Sequence, residues 1–461
     1  MLFAAAHQAM PDDALIHASY ARNLIERGEW GLVPGIPANT ATSPLWVWLL
    51  AGGALVTGSV ITAVALLLAG CLAALAVCLC RLGGPVAAVL GTLLVASAPV
   101  MSSAVGMESF LAVSLLAWLV ERTLVVHVVD TAVPALLIGG MVLTRPDLAA
   151  AALVVVGTAA ATARSTADRR RLLVVPVLGG AATVPWFAYS WLRLGSAWPD
   201  TVPLKGTMPG WGDGTVHLLG SVPLYAASWP AATWLSVGLL ILGALALPVA
   251  VERKAWPAVA LAAGGIADLA FVAAAAGPPA SYYAAPAVAA LGLAAVLVGV
   301  QGRCGWVPVS GVVLVAVLFS GQFGGWSAGF APLRTNWASN AQYAAIADAL
   351  PDDGLVLNRG EIGALAFFCL DRGCRVVDDL LADPHATDRF VTTWRTEHPW
   401  TATNYRFREP HPALPYRYVI TYGDRPRPGT SPLGTWPVTG ADGRTRLAVL
   451  TRAPEGLPSA G

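Results

Sequence analysis

Long unbroken apolar runs, rather than strict alternation, dominate the chain up to about residue 325. Runs at 59–80, 85–103, 109–128, 131–146, 147–163, 172–193, 231–250, 255–276, 283–301 and 306–325 each approach the ~20 residues that a helix needs to cross a bilayer. Residues 44–57 are apolar but shorter, which predicts a juxtamembrane or re-entrant helix. Ahead of them, residues 12–30 read as a polar helix carrying Leu15, Tyr20, Leu24 and Ile25, and Gly28 to Ser43 as a Gly-, Pro- and Asn-rich loop. After Phe323 the pattern changes to short alternating runs, at 354–358, 375–378 and 418–421. Asn340 stands where a cap would start a helix through Leu350. The pattern therefore predicts an α-helical polytopic membrane protein, with about ten transmembrane helices plus a juxtamembrane helix, and a small C-terminal α/β domain. Its divisions are 1–58 (polar front and juxtamembrane helix), 59–328 (transmembrane domain) and 329–461 (α/β domain, with a loop-rich, Pro-rich tail from Glu409). No internal repeat is visible.

Composition sharpens this picture. Of 461 residues, 56% are hydrophobic and only 12% charged, about half the charge of an ordinary soluble domain, and the mean hydropathy is +0.63. A net charge of +1 without a nucleic-acid type of basic tract gives no hint of a nucleic-acid partner, and none is expected. Residues Met1 to Met10 lack the basic and apolar regions of a cleavable signal peptide. Cys71, Cys78 and Cys80 fall in an apolar helix and Cys304 in a short loop. Cys369 and Cys374 share the C-terminal domain, where an extracytoplasmic location permits a disulfide. No cysteine pattern has zinc-site spacing.

Basic residues in short loops orient the spans. Arg81, the Arg164 to Arg171 loop, Arg253-Lys254 and Arg303 fall on one side, which the positive-inside rule places in the cytoplasm. Alternation then brings Asp12-Asp13, Glu108, Arg145-Asp147, Asp200 to Lys205 and Ser281-Tyr282-Tyr283 to the other face, together with the C-terminal domain. The expected location is a multi-pass protein of the cell membrane with an extracytoplasmic C-terminal domain.

These stations can carry chemistry. A carboxylate of Asp12 or Asp13 can take the proton from a hydroxyl nucleophile. Its neighbour can hold that acceptor, raise the first group's pKa or bind a divalent cation; no cofactor is otherwise implied. Asp before an apolar run is equally a common helix cap. Glu108 at a helix start is favoured by the helix dipole. Arg145 can bind a phosphate through its donor fork, or pair with Asp147. In the loop Leu192 to Lys205, Trp198 suits an interface anchor, and Lys205 suits a lipid phosphate beside Asp200 and Thr201. Tyr282 and Tyr283 read as substrate contacts or as interfacial belt residues. His17 can bond a sugar or phosphate; His127 and His217 carry no signal.

In order along the chain, several strings resemble the GT-C glycosyltransferases, membrane enzymes that use polyprenyl-phosphate sugars. The closest likeness is to actinobacterial arabinofuranosyltransferases that add terminal arabinose to cell-wall polysaccharide. The strings are Asp12-Asp13-Ala14 with Tyr20-Ala21-Arg22-Asn23-Leu24, then Ala41 to Trp46, Gly106-Met107-Glu108-Ser109, Leu143 to Asp147, Gly195 to Lys205, Gly360 to Leu365, and Val376 to Asp379. The resemblance implies an inverting transfer of a sugar of arabinofuranose or mannose type from a polyprenyl-phosphate donor to a cell-envelope glycan or lipid acceptor. Asp12 or Asp13 would be the base, and Arg22, Glu108, Arg145, Asp147, Asp200, Lys205, Tyr282 and Tyr283 would shape the substrate pockets. It also implies a membrane span before the aspartate pair, where only eleven residues precede Asp12, and an arginine-tyrosine pair where Ser281-Tyr282-Tyr283 stands. Competing readings are a lipid-linked sugar transporter or flippase, and an inactive GT-C-like relative.

Overall fold

The computed structural model describes residues 3, 6–125, 130–207, 220–274, 280–302, 310–311, 329–378, 382–426, 429 and 431–454. His127, His217, Arg303, Cys304, Asp379 and most of the expected span at 306–325 lie outside the described residues, as do the side chains of Lys205 and its two successors.

The polar front forms helix α1 (Asp12–Arg27), which ends at Gly28 in the left-handed region (φ 69°). Its inner face is buried through Leu15, Tyr20 and Ala21. Apolar helices follow: α2 (Pro44–Thr57), α3 (Val60–Ser97), α4 (Ser109–Leu124), α5 (Ala132–Thr144), α6 (Leu148–Thr162), α7 (Thr166–Tyr189), α8 (Pro230–Glu252), α9 (Trp256–Ala274) and α10 (Ala285–Val300). Helix α3 covers two of the expected spans. Gly84, at φ 80°, and Pro85 break it at the boundary between them, because proline removes a helical hydrogen bond. A π-helical turn (Ser190–Leu194) extends α7 toward Gly195. Among the described residues, five helical segments are long and apolar enough to cross a membrane, and α2, α5 and α6 are shorter apolar helices.

The helices pack through small residues. A Cβ at Gly243 of α8 would lie 2.4 Å from Leu291 of α10, and Gly179 of α7 sits against Ile138 of α5. Their outward faces are apolar: Val56 is 87% exposed and Val177 70%. Large exposed aliphatic surface of this kind suits lipid rather than water. The chain is a polytopic membrane protein.

The C-terminal domain begins with α11 (Asn340–Ala349). Ser339, one residue before the expected cap, caps this helix in a capping box with Gln342, while Asn340 Nδ2 donates to the Met10 carbonyl at 3.0 Å. Then come β1 (Leu355–Asn358), α12 (Gly363–Arg372), β2 (Arg375–Val377), α13 (Pro384–Glu397), β3 (Tyr416–Gly423), β4 (Gly434–Thr439) and β5 (Thr445–Arg452). The sheet order is β2-β1-β3-β5-β4, parallel across β2-β1-β3 and antiparallel for β3-β5-β4. The Pro-rich tail expected to be loop therefore carries two further strands. Pro437 is accommodated because β4 is an edge strand, where a missing amide breaks no ladder on its open side. Cys369 and Cys374 form a disulfide that joins α12 to the start of β2.

Candidate functional site

The helix ends converge on a cavity of about 220 Å³. Asp13, Ile16 and His17 line it from α1, at the i, i+3 and i+4 positions that share a helix face. Glu108 enters from the turn before α4, Arg145 and Asp147 from the α5–α6 junction, and Tyr282 and Tyr283 from the turn before α10. Thr40, Trp198 and Thr201 close one side, and Phe271 and Val272 of α9 another.

Consecutive residues on a helix point about 100° apart, and this separates the aspartate pair. Asp13 faces the cavity, where its carboxylate is hydrogen-bonded to the Tyr282 hydroxyl. Asp12 faces the C-terminal domain. Its two oxygens accept from the backbone amides of Gly363 (3.0 Å) and Ala364 (2.8 Å), at the N-terminus of α12. Unpaired amides and the positive end of the helix dipole favour an anion there. Burial nevertheless pushes the Asp12 carboxyl up to about 6, against the lowering by the Ala364 amide, with a further rise from the Asp13 charge. Only glycine fits at 363, since a Cβ would lie 2.1 Å from the Asp12 carbonyl oxygen.

Arg145 is buried and fixed. Its Nε donates to both Asp147 carboxylate oxygens at 3.2 Å and its Nη2 to Oδ2 at 2.5 Å. The Tyr282 and Tyr283 carbonyls accept from Nη1 (3.3 Å) and Nη2 (3.4 Å). A guanidinium has five N–H donors, so an Nη1–H remains beside Glu108, whose Oε1 is 3.8 Å away. The other Glu108 oxygen lies 3.8 Å from His17 Nδ1. Glu108 makes no cap hydrogen bond to α4, so its place is explained by the cavity rather than by the helix start.

Two of the remaining expected site residues, Arg22 and Asp200, lie elsewhere. Arg22 points to the C-terminal domain, bonded to Glu26 (3.1 Å) and Asp371 (2.8 Å) and set over the Phe367 ring. Asp200 is buried away from the cavity; Arg408 Nη1 donates to it at 2.7 Å and Ser196 Oγ at 2.9 Å. Burial raises its pKa, with the Arg408 charge opposing. Lys205 is helical in backbone (Thr201–Thr207).

Two residues beside the site were not singled out in the sequence. Arg334 is buried; its Nε donates to the Ser103 carbonyl at 2.7 Å, and its guanidinium lies 4.8 Å from the Tyr282 ring centre, within electrostatic reach of Asp13. Leu333 before it adopts φ 55°, a left-handed conformation rare outside glycine and a local sign of constraint. Asp268 lies inside α9, 1% exposed, with no hydrogen-bond partner for either oxygen among the described residues and the charges of Asp147 and Arg145 in reach. An isolated Asp within an apolar run is the trace that could have flagged it. Among the described residues no group of three or more His, Cys, Asp or Glu side chains is placed to hold a metal ion, and a divalent cation remains an expectation from the acidic residues alone.

No family model matches the chain, and no curated protein matches it in sequence. Similarity is found among solved structures. ArnT from Cupriavidus metallidurans bound to undecaprenyl phosphate superposes with a TM-score of 0.59 at 15% identity, over 100% of this chain and 96% of that one. The apo state of the same protein gives 0.57 at 15% identity, over 96% and 93%. An Archaeoglobus fulgidus oligosaccharyltransferase gives 0.44 at 13% identity, over 89% and 64%. At these identities what is shared with ArnT is the fold, and it is shared over nearly the whole length of both chains. The shared architecture is the one described above, a helical membrane domain followed by a small α/β domain.

Proposed function

We propose that this chain is a membrane glycosyltransferase that moves a sugar from a polyprenyl-phosphate donor to a hydroxyl of a cell-envelope glycan or lipid. The observation that carries this reading is a half-buried carboxylate, Asp13, and a buried, fixed guanidinium, Arg145, lining one cavity at the converging ends of the membrane helices. The fold is shared with ArnT, which has been crystallised with undecaprenyl phosphate.

In this reading the acceptor hydroxyl gives its proton to Asp13 as its oxygen attacks the anomeric carbon. The bond from that carbon to the phosphate oxygen breaks, and the electron pair leaves on polyprenyl phosphate. Attack opposite the leaving group inverts the anomeric centre. The Tyr282 hydroxyl, bonded to Asp13, orients the base. The Nη1–H of Arg145 that stands beside Glu108 is the donor offered to the departing phosphate, whose charge rises as it leaves. Asp12 serves the domain contact rather than the proton transfer. An extracytoplasmic site is supported by the basic loops expected on the opposite side and by the Cys369–Cys374 disulfide. Arabinofuranose or mannose remains the proposed sugar type.

The test is mass analysis of polyprenyl-phosphate arabinose and polyprenyl-phosphate mannose incubated with the purified protein in nanodiscs and a neutral oligosaccharide acceptor. Conversion of one donor to polyprenyl phosphate with a new glycoside is expected; persistence of both donors overturns the reading. Asp268, a carboxyl group buried within a membrane helix, favours a second reading as a carrier of lipid-linked sugar. Movement of labelled donor across proteoliposomes without acceptor would select it.

A further inference from the structure

A second cavity, of about 250 Å³, opens at the seam between the membrane domain and the C-terminal domain. It adjoins the first. Thr40 lines both cavities, and the consecutive residues Asp200 and Thr201 face different ones. The floor is a rigid polar chain that crosses the domains. Arg408 donates to Asp200 (2.7 Å) and to Asp388 (2.6 Å), and Asp388 accepts from the His411 amide (2.6 Å). Asn39, 1% exposed, lines the same space; its Nδ2 is spent on Ser196 and Trp198, and its Oδ1 has no partner among the described residues. Phe407 adds a 43% exposed aromatic face, held edge-on by Trp191 at 4.9 Å between ring centres.

The chemistry selects a class of ligand. The lining charges balance, since Arg193 and Arg408 stand against Asp200 and Glu409. Arg408 is already matched by two carboxylates. A balanced site gives an anion or a cation little net attraction. What it offers is fixed hydrogen-bonding groups, an unused buried acceptor that needs a donor, and an apolar face. A sugar ring meets all three, with hydroxyls that donate and a C–H face that packs on an aromatic ring. A volume just under the ~300 Å³ of small drug-sized pockets suits one such ring.

We propose that this seam cavity binds one neutral sugar unit. Taken with the transferase reading, on which this part rests, that unit belongs to the acceptor glycan, whose reacting end reaches past Thr40 to Asp13. The seam then selects extended acceptors over single sugars.

The test uses saturation-transfer NMR on the full chain in nanodiscs, with methyl glycosides of mannose and arabinofuranose trisaccharides as probes. Wild-type protein is expected to transfer saturation to at least one of them. Phe407→Ala and Asn39→Leu should each cut that signal at least fivefold, while Asp13→Asn leaves it unchanged. In transfer assays Phe407→Ala should raise KM for a trisaccharide acceptor about tenfold, with kcat and the KM for a monosaccharide acceptor unaltered. Phe407 is half-exposed, so this variant tests the site even if Asn39→Leu misfolds. No saturation transfer to any neutral probe, binding only of phosphorylated sugars, or undiminished binding in Phe407→Ala would each overturn the proposal. Binding without any transfer would leave the sugar site standing and remove the transferase reading instead.

Discussion

Asp12 and Asp13 are adjacent in the chain, yet one carboxylate holds the N-terminus of α12 in the C-terminal domain and the other faces the cavity with Tyr282. Substitution should separate the two roles. Asp13→Asn is expected to lower transfer by about 10²–10⁴-fold, the range for loss of a general base, with an unchanged thermal transition. Asp12→Asn should lower that transition, by the ~1–2 kcal/mol of a lost helix cap, and leave a measurable part of the transfer rate. Side-by-side turnover and melting measurements on the two variants decide it. An active Asp13→Asn protein would end the proposed assignment of the base.

Gly363 offers a second test of the same contact. A methyl group there meets the Asp12 carbonyl oxygen at 2.1 Å, and backbone cannot yield as a flexible side chain can. Gly363→Ala should cost about 1–3 kcal/mol by overpacking, read as a lower midpoint for the C-terminal domain in limited proteolysis. A variant as resistant as the parent would show that the two segments separate freely.

The seam between the domains should respond to pH. Burial raises Glu361 to about 8, with the Asp12 charge adding, while Asn336, Trp337 and Tyr343 donate to its carboxylate. Asp12 is raised to about 6. Both groups bind protons more tightly in the folded protein than in the unfolded chain, where carboxyls titrate near 4. Their contribution is therefore fully present below about pH 4 and is lost as pH rises through about 6 and about 8. Apparent Tm in detergent should fall between pH 5 and pH 8.5, and Glu361→Gln should flatten that slope. A Tm that rises over this range in both proteins would contradict the assignment.

Arg408 joins Asp200 of the membrane domain to Asp388 of the C-terminal domain. Arg408→Ala strands a buried carboxylate, which typically costs ~3–5 kcal/mol. Arg408→Ala combined with Asp200→Asn should recover a large part of that loss. Chemical denaturation of the single and double variants provides the comparison.

Much of this architecture could be read from hydrophobic runs, because a helix in lipid must satisfy its own backbone and so announces itself by length. The division of α3 at Gly84-Pro85 was legible for the same reason. Strands β4 and β5 were not. Gly434 to Thr439 contains proline and little alternation, and its pairing with β5 is a tertiary fact. At the cavity, Glu108, Arg145, Asp147, Tyr282 and Tyr283 were visible as polar breaks at helix ends. The distinct directions of Asp12 and Asp13 depend on a domain more than 300 residues away, and Arg334 reads in sequence as an ordinary arginine in a loop. Asp200 and Arg22 announced charge correctly but not its partner, and in both cases the partner belongs to the C-terminal domain.

The bond from Asp12 to Gly363 spans 351 positions. At about 5–20 residues per second of synthesis, the first helix waits roughly 20–70 s for the amides that complete its end. During that interval α1 carries a carboxylate with no cap to hold, and the wall of the cavity that α1 provides is not yet pinned. The contact that pins the first helix to the C-terminal domain thus forms late in the life of the nascent chain, after every membrane helix has been made.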